Sequence, residues 1–340
     1  MPYRIAINGL GRIGRCVLRA LYESTDYPEL RIVAVNDVAD IATLAHLLRY
    51  DSTHGRFLGE VTRRDGLLDI DGDPLQVFSQ TDFTSLPWAE LGIDLVMECS
   101  GTYTDRQRAS GHLQAGAGKV LFSQPAERDV DATVVYGINH RQLSGTETVI
   151  SNASCTTNAL IPVIQTLDRE LGIRQGVVTT IHSAMNDQPV IDAYHHNDLR
   201  KTRSAMQSII PVETEITRGI GRILPELEDR FEAYAVRVPT VNVSAIDLTV
   251  VTDTPTSVDL VNELIRAEST ALPLNILGYT DQPLASCDFN HDPRSAIVDL
   301  SFTRVSGASL VKLLIWFDNE WAYANRMLDV AQYLAESGRG

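Results

Sequence analysis

Gly9-Leu10-Gly11-Arg12-Ile13-Gly14, with the short apolar run over residues 4–8 before it, decides the fold. The six residues fit G-x-G-x-x-G, which alone is a weak signal because a glycine-rich turn often serves only to reverse a chain. Here the context is complete. Residues 12–23 place Ile13, Val17, Leu18 and Leu21 at helical spacing, and the β-branched run 31–36 leads into Asp37, about 20 residues on. Absent side chains let backbone approach a pyrophosphate, which then rests on the helix N-terminus where N–H groups point outward. Asp37 can accept hydrogen bonds from the adenosine ribose hydroxyls, and its charge repels a 2′-phosphate, so NAD is favoured over NADP. The bland alternative is a packing turn beside a solvated Asp37.

Outward from that motif the first half alternates strands and helices. A helix is predicted over 41–50, with Leu44, Leu47 and Leu48 on one side, and another over 105–116; short buried-type strands fall at 94–99, 120–122 and 133–135. Such alternation predicts a doubly wound, mostly parallel sheet. The segment 57–83, with an Asp71-Gly72 turn signal, reads as an inserted antiparallel hairpin. After about residue 150 the texture changes. A helix over 156–171 precedes longer, partly alternating strands at 177–181, 234–238, 243–251, 297–305 and 310–317, with helices at 257–268 and 321–335. This predicts an α+β domain with a mainly antiparallel sheet covered by helices on one face. The expected division is a dinucleotide-binding domain over 1–154, joined by the terminal helix 319–340, and a second domain over 155–318.

Composition narrows the class. At 340 residues the chain is long enough for two cores. With 29 Lys plus Arg against 44 Asp plus Glu, the formal charge is −15, and a nucleic-acid or anionic-membrane partner needs the opposite sign. Cys16, Cys99, Cys155 and Cys287 are scattered with no C-x-x-C pair, so neither a metal site nor a disulfide framework is expected. No apolar run reaches the roughly 18 residues of a membrane span, and residues 3–7 enter a strand without a signal-like region. A cytoplasmic location is expected.

Cys155 stands where the polar run Ser151-Asn152-Ala153-Ser154 gives way to a helical pattern. A thiol at a helix N-terminus feels the positive end of the dipole, which lowers its pKa. His182, closing a strand, is the candidate base. The alternative is a buried structural cysteine and a turn histidine, since residues 27 apart need not meet. Pro162 interrupts the predicted helix and removes one hydrogen bond there. The other three cysteines have apolar neighbours and read as core.

The runs INGLGRIGR, SNASCTTN, TTIHS, AVRVPTVNVS and WFDNEW, in this order along nearly the whole chain, closely resemble the glyceraldehyde-3-phosphate dehydrogenase superfamily. Within it, the stretch from His182 to His195, with HLLRYDSTHGRF (46–57) and DFNHDPRSAIVD (288–299), is similar to the D-erythrose-4-phosphate dehydrogenase branch. The resemblance implies an NAD-dependent aldehyde dehydrogenase with Cys155 as nucleophile and His182 as general base. It places Gly9, Gly11, Arg12, Ile13, Asp37, Ser123, Asn319 and Tyr323 at the cofactor. Ser154, Cys155, Thr156, Thr214, Glu215, Arg237 and one of Arg200 or Lys201 fall to a phosphorylated aldehyde-sugar substrate. It further implies a homotetramer. The erythrose branch releases 4-phosphoerythronate with water and serves pyridoxal 5′-phosphate synthesis; the glycolytic alternative uses inorganic phosphate and makes an acyl phosphate. A non-catalytic NAD-binding protein would not need an intact Cys155 and His182.

Departures from the resemblance bear on that choice. Met185 stands where the glycolytic enzymes usually carry a threonine whose hydroxyl helps bind the substrate phosphate. The segment 197–203 is one residue longer than in relatives, which leaves Arg200 and Lys201 both open as the anion-binding residue. Ala159 replaces a second cysteine common four residues after the nucleophile, and Gln80-Thr81 replaces an arginine often found near the adenine.

Overall fold

The computed structural model describes residues 2–64, 66–195 and 198–338; Asn197, at the start of the cationic segment, lies outside the described residues. The chain divides into two units, Met1–Ser154 with Tyr323–Gly340, and Cys155–Ala322.

Among the described residues the first unit carries one nine-stranded sheet. Its order is Ala132–Thr133, Val149–Ser151, Lys119–Phe122, Leu95–Glu98, Tyr3–Asn8, Leu30–Asn36, Asp73–Phe78, Leu67–Ile70, Val61–Arg64. Every neighbour pair from Ala132–Thr133 to Asp73–Phe78 is parallel, as apolar strands alternating with helices require. Two of its helices start where an aspartate caps them. Asp40 accepts from the Ala42 and Thr43 N–H groups ahead of Ile41–Arg49, and Asp105 accepts from Arg108 ahead of Arg106–Gln114.

Two expectations are refined here. The Asp71-Gly72 turn joins Leu67–Ile70 to Asp73–Phe78, with φ of 52° and 92°, yet Asp73–Phe78 also docks in parallel beside Leu30–Asn36. The antiparallel hairpin expected within 57–83 therefore forms, and its last strand also extends the main sheet. The strand expected at 133–135 forms only over Ala132–Thr133, because the Val135 N–H turns to the Asn139 side chain at 2.8 Å.

A polar knot holds the carboxyl ends of the central strands. Glu98 is fully buried and accepts from Asn8 Nδ2 at 2.6 Å, Tyr103 OH at 2.6 Å and the Ser100 N–H at 2.8 Å. His112 Nδ1 accepts from Trp88 Nε1 at 3.0 Å, so its Nε2 carries the hydrogen that faces Glu98 at 3.3 Å. Burial alone would raise the Glu98 carboxyl; the donors from His112, Ser100 and Tyr103 reverse that and hold it ionised. Asn8 Oδ1 in turn accepts from Asn36 Nδ2 at 2.7 Å, tying three strand ends into one block.

The second unit's sheet runs Ile210–Val212, Phe231–Arg237, Ile173–His182, Ser244–Thr252, Leu310–Phe317, Ala296–Asp299, Leu277–Thr280, with Arg304–Ser306 also paired to Leu310–Phe317. It is mainly antiparallel, with parallel pairs at Ile173–His182/Phe231–Arg237 and Leu277–Thr280/Ala296–Asp299. The strand expected over 297–305 is broken: Asp299 accepts the Ser301 N–H and hydroxyl, which curls Leu300–Phe302 into a 3₁₀ turn. The helix Cys155–Leu171 is buried nearly all round and packs against Val258–Ala271, Ile216–Ile223 and the sheet. It runs on through Pro162, which has no N–H to give the preceding turn.

Of the cysteines read as core, Cys16 and Cys99 are buried but Cys287 is exposed. It lies in the 3₁₀ turn Ser286–Phe289, where Phe289 takes the inward position and stacks on Trp316 at 5.4 Å. No helix among the described residues is long and apolar enough to cross a membrane.

Candidate active site

In the first unit the glycines do three different jobs. Gly9 has φ +91°, and a Cβ there would lie 2.5 Å from Ser100 backbone, so neither conformation nor space admits a side chain. A Cβ on Gly14 would lie 2.2 Å from the Gly9 carbonyl oxygen, so the helix can sit this close to the strand only without one. Gly11 differs: a Cβ would meet nothing within 4 Å, and no side chain caps the helix Arg12–Glu23 that follows. That uncapped helix start beside bare backbone fits a pyrophosphate. Asp37 stands next to it, its Oδ2 accepting from the Leu10 N–H at 2.7 Å and its Oδ1 from the Ala39 N–H at 2.8 Å. The glycine turn and the acid that follows the second strand are thus one hydrogen-bonded unit. The Arg12 side chain pairs with Asp51, and Ser123 donates its N–H to the Glu98 carbonyl at 3.0 Å.

In the second unit, sheet register collects the polar side chains at one end. His182 and Arg237 are partners across a parallel pair, Ile181 and Ala245 across the next, and Ser244 and Phe317 across the third. Cys155 opens the helix Cys155–Leu171, and its Sγ lies 3.7 Å from His182 Nε2. His182 Nδ1 is 2.8 Å from the Ser183 carbonyl oxygen, so Nδ1 carries the hydrogen and Nε2 is left as acceptor toward the thiol. The chain enters the helix through Ala153 at φ 54°, whose carbonyl accepts from Tyr323 OH at 2.8 Å.

Electrostatics at the pair contradict one expectation. Burial pushes the Cys155 thiol up to about 11, and the Thr156 hydroxyl and the N–H groups at the helix start oppose that without overcoming it. Burial also lowers His182, and nearby Arg237 pushes the same way. The resting pair is a neutral thiol facing a neutral imidazole. The helix N-terminus is present, but desolvation outweighs it.

Arg237 is buried and gives Nη1 to Asp187 Oδ1 at 2.5 Å, while Lys201 gives Nζ to Asp187 Oδ2 at 3.0 Å. Burial would raise the Asp187 carboxyl, but these two cations hold it below its ordinary value. Arg200 is exposed, so of the two candidates it is Lys201 that shares an anion with Arg237. Thr214 is part-buried between Ile210–Val212 and Ile216–Ile223; Glu215 is exposed and accepts from Arg218 at 2.8 Å. Ser154 is part-buried and Thr156 buried beside the thiol. Asn319 Oδ1 accepts from Ser183 Oγ at 3.0 Å and Ser244 Oγ at 2.8 Å. Asp187, Ser183 and Ser244 escape a reading of the residues, because an acid or serine in a polar run gives no signal until pairing brings it to its partners.

Two family models match the chain. The glyceraldehyde 3-phosphate dehydrogenase NAD binding domain covers residues 3–106, which hold the glycine turn and Asp37, and the glyceraldehyde 3-phosphate dehydrogenase C-terminal domain covers 154–319, which hold Cys155, His182 and Arg237. With a glycine turn built for a pyrophosphate and a thiol facing an imidazole acceptor, the chain belongs to the glyceraldehyde-3-phosphate dehydrogenase family of NAD-dependent oxidoreductases.

Proposed function

We propose that this chain oxidises D-erythrose 4-phosphate to 4-phosphoerythronate, using NAD and water. The observation carrying this reading is the segment His182–His195, above all Met185: half-exposed and apolar, it offers no hydroxyl to a three-carbon substrate's phosphate. Lys201 and Arg237 supply the cations for the sugar phosphate, exchanging Asp187 for it.

The chain's own groups account for the steps. As Cys155 Sγ bonds to the aldehyde carbon, its proton passes to His182 Nε2, 3.7 Å away. The Cys155 N–H, at the start of its helix, steadies the oxygen that gains charge, and His182 returns the proton to give a hemithioacetal. NAD, when bound, accepts the hydride from that carbon. His182 removes the hydroxyl proton as the hydride leaves and gives it up to solvent, and a thioester forms on Cys155. Water, deprotonated by His182, then adds to the thioester and expels the thiol. Burial of His182 favours its neutral form, which is the form that can accept these protons.

The competing reading is a phosphorylating glyceraldehyde-3-phosphate dehydrogenase, because Cys155 and His182 serve both and Lys201 with Arg237 suits inorganic phosphate too. NADH formation from each sugar phosphate, with and without inorganic phosphate, separates them. Faster turnover of the four-carbon sugar without phosphate is expected; phosphate-dependent preference for the three-carbon sugar would make the enzyme glycolytic. We also propose a cytoplasmic homotetramer. The large exposed apolar side chains Val190, Ile191, Tyr194, Leu199 and Ile209 support a surface that partner copies cover.

A further inference from the structure

Asn8, Glu98 and Asn36 are the last residues of three neighbouring strands, and sheet register sets Asn8 opposite both of the others. Side chains level with one another in a parallel sheet share a face, so these three polar ends meet. They are buried, at 2%, 0% and 4% exposure, which keeps water from standing in for a missing partner. Their hydrogens can be counted. Glu98 receives four: on Oε2 from Asn8 Nδ2 and Tyr103 OH at 2.6 Å and from His112 Nε2 at 3.3 Å, and on Oε1 from the Ser100 N–H at 2.8 Å. A carboxylate has acceptor sites for all four and no hydrogen to place, whereas an amide of the same shape has one oxygen. At the far end, Asn36 grips the Gln80 backbone from both sides, giving Nδ2 to its carbonyl at 2.9 Å and accepting its N–H at 2.8 Å. The other Nδ2 hydrogen goes to Asn8 Oδ1 at 2.7 Å. Asn8 therefore has one admissible setting, Oδ1 toward Asn36 and Nδ2 toward Glu98, and the ionised carboxyl of Glu98 completes it.

The row borders the glycine turn. Asn8 leads directly into Gly9, and Ser100 is the backbone that a Cβ on Gly9 would strike. Asn36 leads into Asp37, whose carboxylate accepts the Leu10 N–H at 2.7 Å and whose own N–H reaches the Phe78 carbonyl at 3.0 Å. We propose that Glu98 is a positioning residue for NAD. It fixes Ser100 on one side of the turn and, through Asn8 and Asn36, Asp37 on the other, and so sets the spacing between the glycines that face the pyrophosphate and the acid that faces the ribose. All of these residues lie in the first unit, and the proposal rests on NAD binding, not on which aldehyde is oxidised. A turn held ready in this way costs less ordering when the dinucleotide binds.

Calorimetry of the full-length protein with NAD tests this, because it returns affinity and number of sites separately and needs no aldehyde. In Glu98→Gln the new NH₂ has to face either Asn8 Nδ2 or the Ser100 N–H, donor against donor. NAD is expected to bind about tenfold more weakly, one unsatisfied buried donor's worth, at an unchanged number of sites. Glu98→Gln/Asn8→Asp moves the carboxylate one strand along: the new amide donates to it and keeps its oxygen for Ser100, and the moved carboxylate still accepts from Asn36 Nδ2. Affinity should return to within about twofold of wild type, whereas independent losses would add. The hydrogen on His112 Nε2 is not served by this exchange, so the melting temperature should stay low while binding recovers. Asn36→Ala leaves Glu98 with its four donors, breaks the row at its other end and should weaken NAD about fivefold; it carries the test if Glu98→Gln does not fold. An unchanged Kd in Glu98→Gln or Asn36→Ala, fewer sites at an unchanged Kd, or a double variant that binds no better than Glu98→Gln overturns the proposal and leaves Glu98 a role in folding alone. Wild-type protein that binds no NAD would contradict the cofactor itself.

Discussion

The first unit prepares its site by leaving side chains out, and the second by bringing side chains together. At the carboxyl ends of the parallel strands, Gly9 and Gly14 let the turn and helix close on backbone, Gly11 leaves open space for a ligand, and Asp37 is joined to that turn through the Leu10 N–H. At the corresponding work place of the second unit, His182, Arg237 and Ser244 arrive from three strands adjacent in the sheet, Asn319 from the turn after the next strand, and Cys155 from the helix that precedes them. One site is written in six consecutive residues. The other exists only after pairing across more than 160 positions of chain. A mutation in the first should act through binding, and one in the second through chemistry.

The largest effect that would break this contrast belongs to the thiol. Cys155→Ser is expected to lower kcat/KM for aldehyde oxidation by roughly 10⁴-fold while leaving NAD affinity unchanged, measured by steady-state kinetics beside calorimetry. Next comes the base. His182→Asn should lower kcat by about 10²–10³-fold and remove the acid limb of the pH profile, because the neutral imidazole is the working form. The pair also predicts how the free protein titrates. In a Cys287→Ser background, iodoacetamide labelling of Cys155 should climb with pH toward about 11 rather than level off near 9. The sign for stability follows: between those values the unfolded chain binds fewer protons at this thiol, so the contribution is present below about 9 and lost as pH rises through 11. The smallest effect tests the other unit. Gly14→Ala forces a Cβ to 2.2 Å from the Gly9 carbonyl, so NAD affinity should fall at least about tenfold, the rough equivalent of 1–3 kcal/mol of overpacking, while Cys155 labelling keeps its pH profile.

How far the residues alone disclose the molecule follows the same division. The strand–glycine–helix start, the alternation behind the parallel sheet and the helix at Cys155 are local, and local patterns of period two and 3.6 are legible in one dimension. Elements broken by a side-chain hydrogen bond are not. Asp299 curling 300–302 and Asn139 capturing the Val135 N–H both cut predicted strands, and nothing in the apolar pattern announces either. Cys287 fails for a related reason, since apolar neighbours in sequence do not settle which residue of a 3₁₀ turn faces inward. Within the site, residue type and position singled out Cys155 and His182, and the family resemblance pointed to Arg237. Neither found Asp187 between two cations or the serines behind Asn319, and residue position mistook the charge state of Cys155 because burial is a property of the packed helix, not of its N-terminal position.

The central claim is that oxidation passes through an acyl group carried on Cys155. Acid-quenched mixtures of enzyme, NAD and erythrose 4-phosphate, digested and weighed, test it directly. The account predicts a phosphorylated acyl adduct on the peptide that holds Cys155, formed only with NAD present and discharged by water without added phosphate. Full turnover with no adduct on that peptide, or undiminished turnover in Cys155→Ser, would contradict it.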